Sequence, residues 1–156
     1  MPPAVRPSWR HATSQDDEAL VALSVQLYVE DPSTQEVPPE NMRRTLAAFR
    51  AQPVRGRALA LARGSDAALG YALLVSFWSN ELGGETVEVD ELFVAKELRG
   101  LGLASELLSE LHGGTRLWAP TPVALSLQVT KANERAKALY WRLGFRDRKN
   151  ATMVWQ

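Results

Sequence analysis

FVAKELRGLGLASELL, residues 93–108, joins a β-like run to an apolar-striped helix through a turn that holds Gly100 and Gly102 directly after Arg99. Glycine costs backbone entropy, so a turn uses it where the chain must bend left-handed or where something approaches the backbone closely. A turn entering a helix also presents N–H groups that lack intrahelical partners, beside the positive end of the helix dipole. That combination is an anion site, and phosphates are its common guests. Arg99 adds a planar fork of donors suited to phosphate oxygens.

Two familiar phosphate turns fit poorly. A dinucleotide fingerprint needs G-x-G-x-x-G and an acid at the end of the next strand. Here Ser105 stands at the third glycine position, and VALSLQVT ends without an acid. A nucleotide-triphosphate loop needs G-K-[ST] after a four-residue gap, and the chain has none.

Working outward, the hydrophobic period changes repeatedly. SWRHA is a short strand. Leu20, Leu23, Leu27 and Tyr28 stripe a helix over 16–28 that Thr13 or Ser14 can cap. The prolines of residues 30–40 mark a loop, and a second helix follows to about Phe49. GRALALAR, ALGYALLVSFW and TVEVDELFV read as three consecutive strands. Leu103, Leu107, Leu108 and Leu111 face one side of a helix stopped at Gly113 and Gly114. VALSLQV is a strand, Ala136, Leu139, Tyr140 and Leu143 stripe a last helix stopped by Gly144, and ATMVW makes a final strand. The order β-α-α-β-β-β-α-β-α-β does not suit a doubly wound parallel sheet. It predicts an α+β fold, a mixed and mostly antiparallel central sheet flanked by helices. The 156 residues make one domain, 1–156.

Against this frame, Arg99-Gly100-Leu101-Gly102-Leu103-Ala104 resembles the R/Q-x-x-G-x-G/A signature of the GNAT superfamily of N-acetyltransferases. VDELFV is similar to that family's central strand. Asn133, Ala136, Tyr140, Gly144 and Phe145 in VTKANERAKALYWRLGF are similar to its second signature. The likeness is residue-specific from about 87 to 145 and topological before that. One departure is AKE, where many relatives carry a proline soon after the strand; it alters the loop and not the anion site.

The resemblance implies acetyl-CoA as cosubstrate. It implies that Arg99, Gly100, Leu101, Gly102, Leu103 and Ala104, with Ser105, meet the pyrophosphate, and that Phe93 and Val94 offer backbone groups to the pantetheine arm. Lys96, Lys131 and Arg135 are within reach of the adenosine end. Asn133 either caps its helix or touches the coenzyme. Tyr140 lies on an apolar stripe, where a core tyrosine would lie; the second signature makes it the proton donor to the departing thiolate.

Glu88, Asp90 and Glu91 place three acids within four residues of a strand that should be central. By alternation Glu88, Asp90 and Leu92 share one face and Glu91 and Phe93 the other, unless a bulge intervenes. An acid beside a cleft can take a proton from an amine. Diamine acetyltransferases of the family align their first acid with Asp90 and their second with Glu91, and other relatives place it near Glu88. The three remain alternatives, with Asp90 first.

Composition narrows the partners. Lys plus Arg equals Asp plus Glu, 18 each, which removes broad electrostatic binding to nucleic acid or an anionic membrane. There is no cysteine, hence no thiolate metal site or cysteine nucleophile, and the two histidines have no metal-ligand spacing. No metal is expected. No run approaches 18 apolar residues, and the N-terminus has no apolar core of a signal peptide; the expectation is a cytoplasmic protein. Glu30, Asp31, Glu36 and Glu40 on the segment that should cover the acceptor suit a cationic amine. The acceptor, a small-molecule amine or a peptide amine, stays open, as do a homodimer and a coenzyme A-binding module without turnover.

Overall fold

The computed structural model describes residues 4–156. Its elements are β1 (Ser8–His11), α1 (Asp17–Glu30), α2 (Pro39–Ala51), β2 (Gly56–Ala62), β3 (Gly70–Ser79), β4 (Gly84–Val94), α3 (Leu103–Gly113), β5 (Ala124–Leu127) and α4 (Glu134–Leu143). The sheet order is β1-β2-β3-β4-β5, with antiparallel pairing up to β4 and a parallel β4–β5 pair. This is the mixed, mostly antiparallel sheet that the element order predicts.

Each face of the sheet carries a core. On one side Leu59, Leu61, Val87 and Val89 pack with Leu103, Leu107, Leu108 and Leu111 of α3. On the other, Tyr71, Leu73 and Phe93 pack with Leu20, Val21 and Leu23 of α1 and with Met42 and Leu46 of α2. Capping follows the sequence. The Thr13 and Asp16 capping box opens the single 3-10 turn that leads into α1. Asn133 caps α4, its Oδ1 accepting from Ala136 N at 3.2 Å. At the end of α4, Gly144 turns left-handed (φ 109°) and Phe145 N donates to Tyr140 O at 3.0 Å. That cap folds the Phe145 ring back edge-on to the Tyr140 ring, with centroids 5.8 Å apart. The Tyr…Gly-Phe spacing of the second signature is thus a helix cap with a packed aromatic pair.

One expected element is missing. Residues 151–155 form no strand, and Met153, Val154 and Trp155 are exposed. Alternation reports only that a segment would suit a pleated, half-buried surface; in the structure the segment is exposed and pairs with no strand of the sheet.

Candidate active site

Along β4 the two halves differ. Residues 86–89 pair with 124–127 of β5 on one side and with β3 on the other. Then the register slips. Leu73 lies opposite Glu91 and Leu74 opposite Val89, so Asp90 is an extra residue, a β-bulge. Beyond it β4 keeps β3 but has no β5 partner.

The bulge also corrects the alternation. Val87 and Val89 pack with the α3 core, and Phe93, three pairs beyond Val89, packs with the α1 core, while Leu92 and Val94 take the α3 side. Glu88 therefore shares no face with Leu92; the extra residue reverses the parity after Asp90.

Strand pairing decides which backbone groups face the gap. Ala95 N donates to Leu69 O at 2.8 Å. Hydrogen-bonded pairs alternate along an antiparallel ladder, so Phe93 exchanges bonds with Tyr71 opposite it, and its N–H and C=O face β3. Leu92 and Val94 turn theirs to the open side. Val94 O there accepts from Arg99 Nε at 2.9 Å, which leaves the Val94 N–H pointing into the gap.

A cavity of about 740 Å³ fills that gap, lined by Leu92, Val94, the turn and start of α3, Asn133 and Tyr140 among others. Gly100 (φ 82°) and Gly102 (φ 75°) are left-handed, where other residues are strained. A Cβ on either would meet no protein atom within 4 Å, so the backbone there is open to a guest. The α3 ladder begins with Glu106 N donating to Gly102 O at 2.9 Å. The amides of Leu103, Ala104 and Ser105 precede it and face out of the helix end. Trp9 Nε1 donates to Leu103 O at 2.8 Å and ties this first turn to β1.

Arg99 lines the same cavity with its charge already engaged. Its Nη2 meets Glu30 Oε2 at 2.6 Å, and its guanidinium lies 5.3 Å from the Phe93 ring centroid. At the other wall, Thr130 Oγ1 donates to Asp31 Oδ1 at 2.8 Å and Asn133 Nδ2 to Asp31 Oδ2 at 3.5 Å. The end of α1 thus crosses the cleft and touches both walls. Glu30 and Asp31, expected to face a cationic acceptor, serve this crossing instead, and Glu40 pairs with Arg43 at 3.5 Å.

The three acids are held differently. Glu88 is approached by Gln128 Nε2 at 3.3 Å and Ser126 Oγ at 3.5 Å. Glu91 accepts from two phenols, Tyr28 on Oε1 and Tyr71 on Oε2, the latter at 2.7 Å. Asp90 has no hydrogen-bond partner among the described residues and is reached by solvent. Its carboxyl is nevertheless raised above the ordinary aspartate range, first by hydration lost to surrounding protein, then by the charges of Glu91 and Glu88. Among the described residues no lysine or arginine pairs with any of the three. Tyr140 is half-buried, and burial and then Asp31 push its phenol up, so it is protonated at neutral pH. No group of three or more His, Cys, Asp or Glu among the described residues could hold a metal, and no helix there is long and apolar enough to cross a membrane.

The glycine turn, Val94, Asn133 and Tyr140 therefore surround one cavity, and Asp90 stands two residues beyond its Leu92 wall. Sequence reading missed Tyr28 and Tyr71. The one available signal was the hydroxyl of a tyrosine inside the apolar run GYALLV, which must find a partner when buried.

A parallel strand pair that parts beside a helix start leaves a cavity of about 740 Å³ between them. Residues 23–145 match the model of the Acetyltransferase (GNAT) family. The chain belongs to that family, whose members transfer acetyl groups and generally use acetyl-CoA, and it is an N-acetyltransferase. No curated protein matches it in sequence. Among solved structures it is similar to an integron cassette protein from the mobile metagenome of Cole Harbour Salt Marsh, with TM-score 0.69 and 25% identity over 96% of this chain and 90% of that one. A possible acetyltransferase from Clostridium difficile 630 has TM-score 0.77 and 18% identity over 97% of each chain. A probable acetyltransferase has TM-score 0.77 and 23% identity over 95% of this chain and 97% of that one; at such identities the latter two speak to the fold alone.

Proposed function

We propose that the protein moves an acetyl group from acetyl-CoA to a primary amine, on a small molecule or a peptide, by direct attack of the amine on the thioester. The observation that carries this is the loss of the β5 neighbour at Asp90, beside strand amides, a helix start and a phenol that line one cavity.

The Leu103, Ala104 and Ser105 amides, reached past Gly100 and Gly102, suit the pyrophosphate. Arg99 contributes by holding the turn against Val94 and Glu30. Leu92 and Val94 offer the backbone edge for the pantetheine arm. An amine with the basicity of a lysine has a pKa of ~10.4, so about one molecule in a few thousand is neutral at pH 7. Asp90, unpartnered and raised, accepts the proton through a water, and attack becomes possible. As the nitrogen bonds to the carbonyl carbon, the Val94 N–H donates to the developing oxyanion. The carbon–sulfur bond then breaks, the leaving thiolate takes the Tyr140 proton, and the second proton of the attacking nitrogen passes through water to the Tyr140 phenolate, leaving the neutral amide, while Asp90 gives its proton to solvent.

The test is calorimetric titration of acetyl-CoA into Gly102→Val, with folding checked by circular dichroism. A β-branched side chain at that left-handed position occupies the open space over the helix start. Affinity is expected to fall at least tenfold. A folded variant with unchanged affinity would remove the coenzyme from this turn.

A further inference from the structure

The two phenols on Glu91 come from different layers. Tyr28 belongs to the last turns of α1, and Tyr71, fully buried, to β3. Each takes one oxygen of the carboxylate. Glu91 is also the residue that follows the bulge, so its side chain is the first after Asp90 to be fixed to something outside β4. Before the bulge, Glu88 is bonded to Ser126 and Gln128 in and just after β5. Asp90 is the residue left between two anchored carboxylates.

We propose that Glu91, clamped by Tyr28 and Tyr71, is a positioning residue that holds the Asp90 bulge in place and fixes a carboxylate beside Asp90. The proposal rests on Asp90 being the base.

Geometry separates the two roles. Each Glu91 oxygen is directed at a phenol of the α1 and β3 layers, whereas neither Asp90 oxygen has a donor among the described residues. Asp90 offers both of its oxygens. The charged and titratable groups that face Asp90 are Glu88 and Glu91 of its own strand, Tyr28 of α1 and Tyr71 of β3. Burial and then the Glu91 carboxylate hold the Tyr28 and Tyr71 phenols well above the ordinary tyrosine range, so both remain donors throughout the working pH. The Glu91 carboxylate, held beside Asp90, disfavours charge on it and adds to the loss of hydration in raising the Asp90 carboxyl above the ordinary aspartate range. Donation from the phenols offsets part of that repulsion. Removing the charge and removing a phenol should therefore act in opposite directions.

The experiment is the pH profile of kcat/KM for a turned-over amine, with folding checked by circular dichroism. The base must be ionised, so the acidic limb lies at the pKa of Asp90. Glu91→Gln abolishes the repulsion, and the limb is expected to move to lower pH while remaining present. Tyr28→Phe leaves Glu91 Oε1 without its donor, strengthens the repulsion, and is expected to move the limb to higher pH, with KM for acetyl-CoA unchanged and kcat lower by several-fold. Tyr28 is half-buried, so this variant keeps the test open should a change at buried Tyr71 prevent folding. A limb that is lost in Asp90→Asn yet unmoved in both other variants overturns the positioning role and leaves the base assignment standing. A limb lost in Glu91→Gln makes Glu91 the base and overturns the proposal. A limb kept in Asp90→Asn overturns the base assignment, and the positioning role with it.

Discussion

Asp16 and Asp90 are both aspartates beside the sheet, and they are treated in opposite ways. Asp16 is buried, and both of its oxygens meet the Arg10 guanidinium, at 2.7 and 2.8 Å, while Thr13 N donates at 2.8 Å. The Arg10 hydrogen bond holds its carboxyl below the usual range, against the desolvation of burial. Asp90 is open to solvent, has no partner, and is raised. A carboxylate that serves the fold is satisfied on every side. One kept unsatisfied between two like charges weakens the fold, and its position at the break in β4–β5 pairing gives a use for it. Perturbed carboxylates in clefts are candidates for reactive sites, and the two shifts run in opposite directions, down at Asp16 and up at Asp90, the proposed base.

The comparison is sharpened first by Tyr140→Phe. The substitution keeps the ring and its edge contact with Phe145 and removes only the hydroxyl. If the phenol delivers the proton to the thiolate, kcat should fall about 10²-fold, with acetyl-CoA affinity almost unchanged by calorimetry. A wild-type kcat would return Tyr140 to a packing role beside Phe145.

A smaller effect is expected at Asp16. Asp16→Asn should cost about 2 kcal/mol, the range for hydrogen bonds to charged groups, which is roughly a 5 °C lower Tm for a domain of this size. Its kcat should stay near wild type. The pH dependences carry opposite signs. Asp16 has a depressed folded pKa, so its stabilisation is present above the unfolded aspartate value and is lost as pH falls through the lower folded one. For Asp90 the folded pKa is raised, so its contribution is present below the unfolded value and is lost as pH rises through the higher folded one. At pH 7 Asp90→Asn should therefore have a Tm equal to or slightly above wild type, measured by differential scanning calorimetry. A clear drop in that Tm would mean that Asp90 makes a stabilising contact and is structural after all.

The mixed, mostly antiparallel sheet and both glycine signatures were legible in the chain because each rests on local chemistry: strand alternation, a helix start without a side-chain cap, a helix stop at Gly144. For Asn133 the sequence offered a cap or a coenzyme contact, and the structure shows the cap. The bulge at Asp90 was not, since a bulge is a mismatch in residue count between β4 and β3 that neither strand carries alone. That one residue misassigned the faces of every side chain after it. The Arg99–Glu30 pair was not legible, because its partners lie 69 residues apart. The Tyr28–Glu91 contact spans 63, and no period in the sequence connects such pairs. ATMVW failed for a related reason: strand propensity exists in a segment, but a strand exists only beside another.

Release of free CoA thiol from acetyl-CoA and a panel of primary amines, followed at pH 7 for wild type, Asp90→Asn and Asp16→Asn, puts the central claim at most direct risk. Asp90→Asn is expected to lose kcat/KM roughly 10²- to 10³-fold, the scale of general-base assistance, and to recover part of it at high pH as more amine becomes neutral unaided. Asp16→Asn is expected to turn over like wild type at a temperature where it is folded. Wild-type turnover by Asp90→Asn at pH 7 would contradict the account.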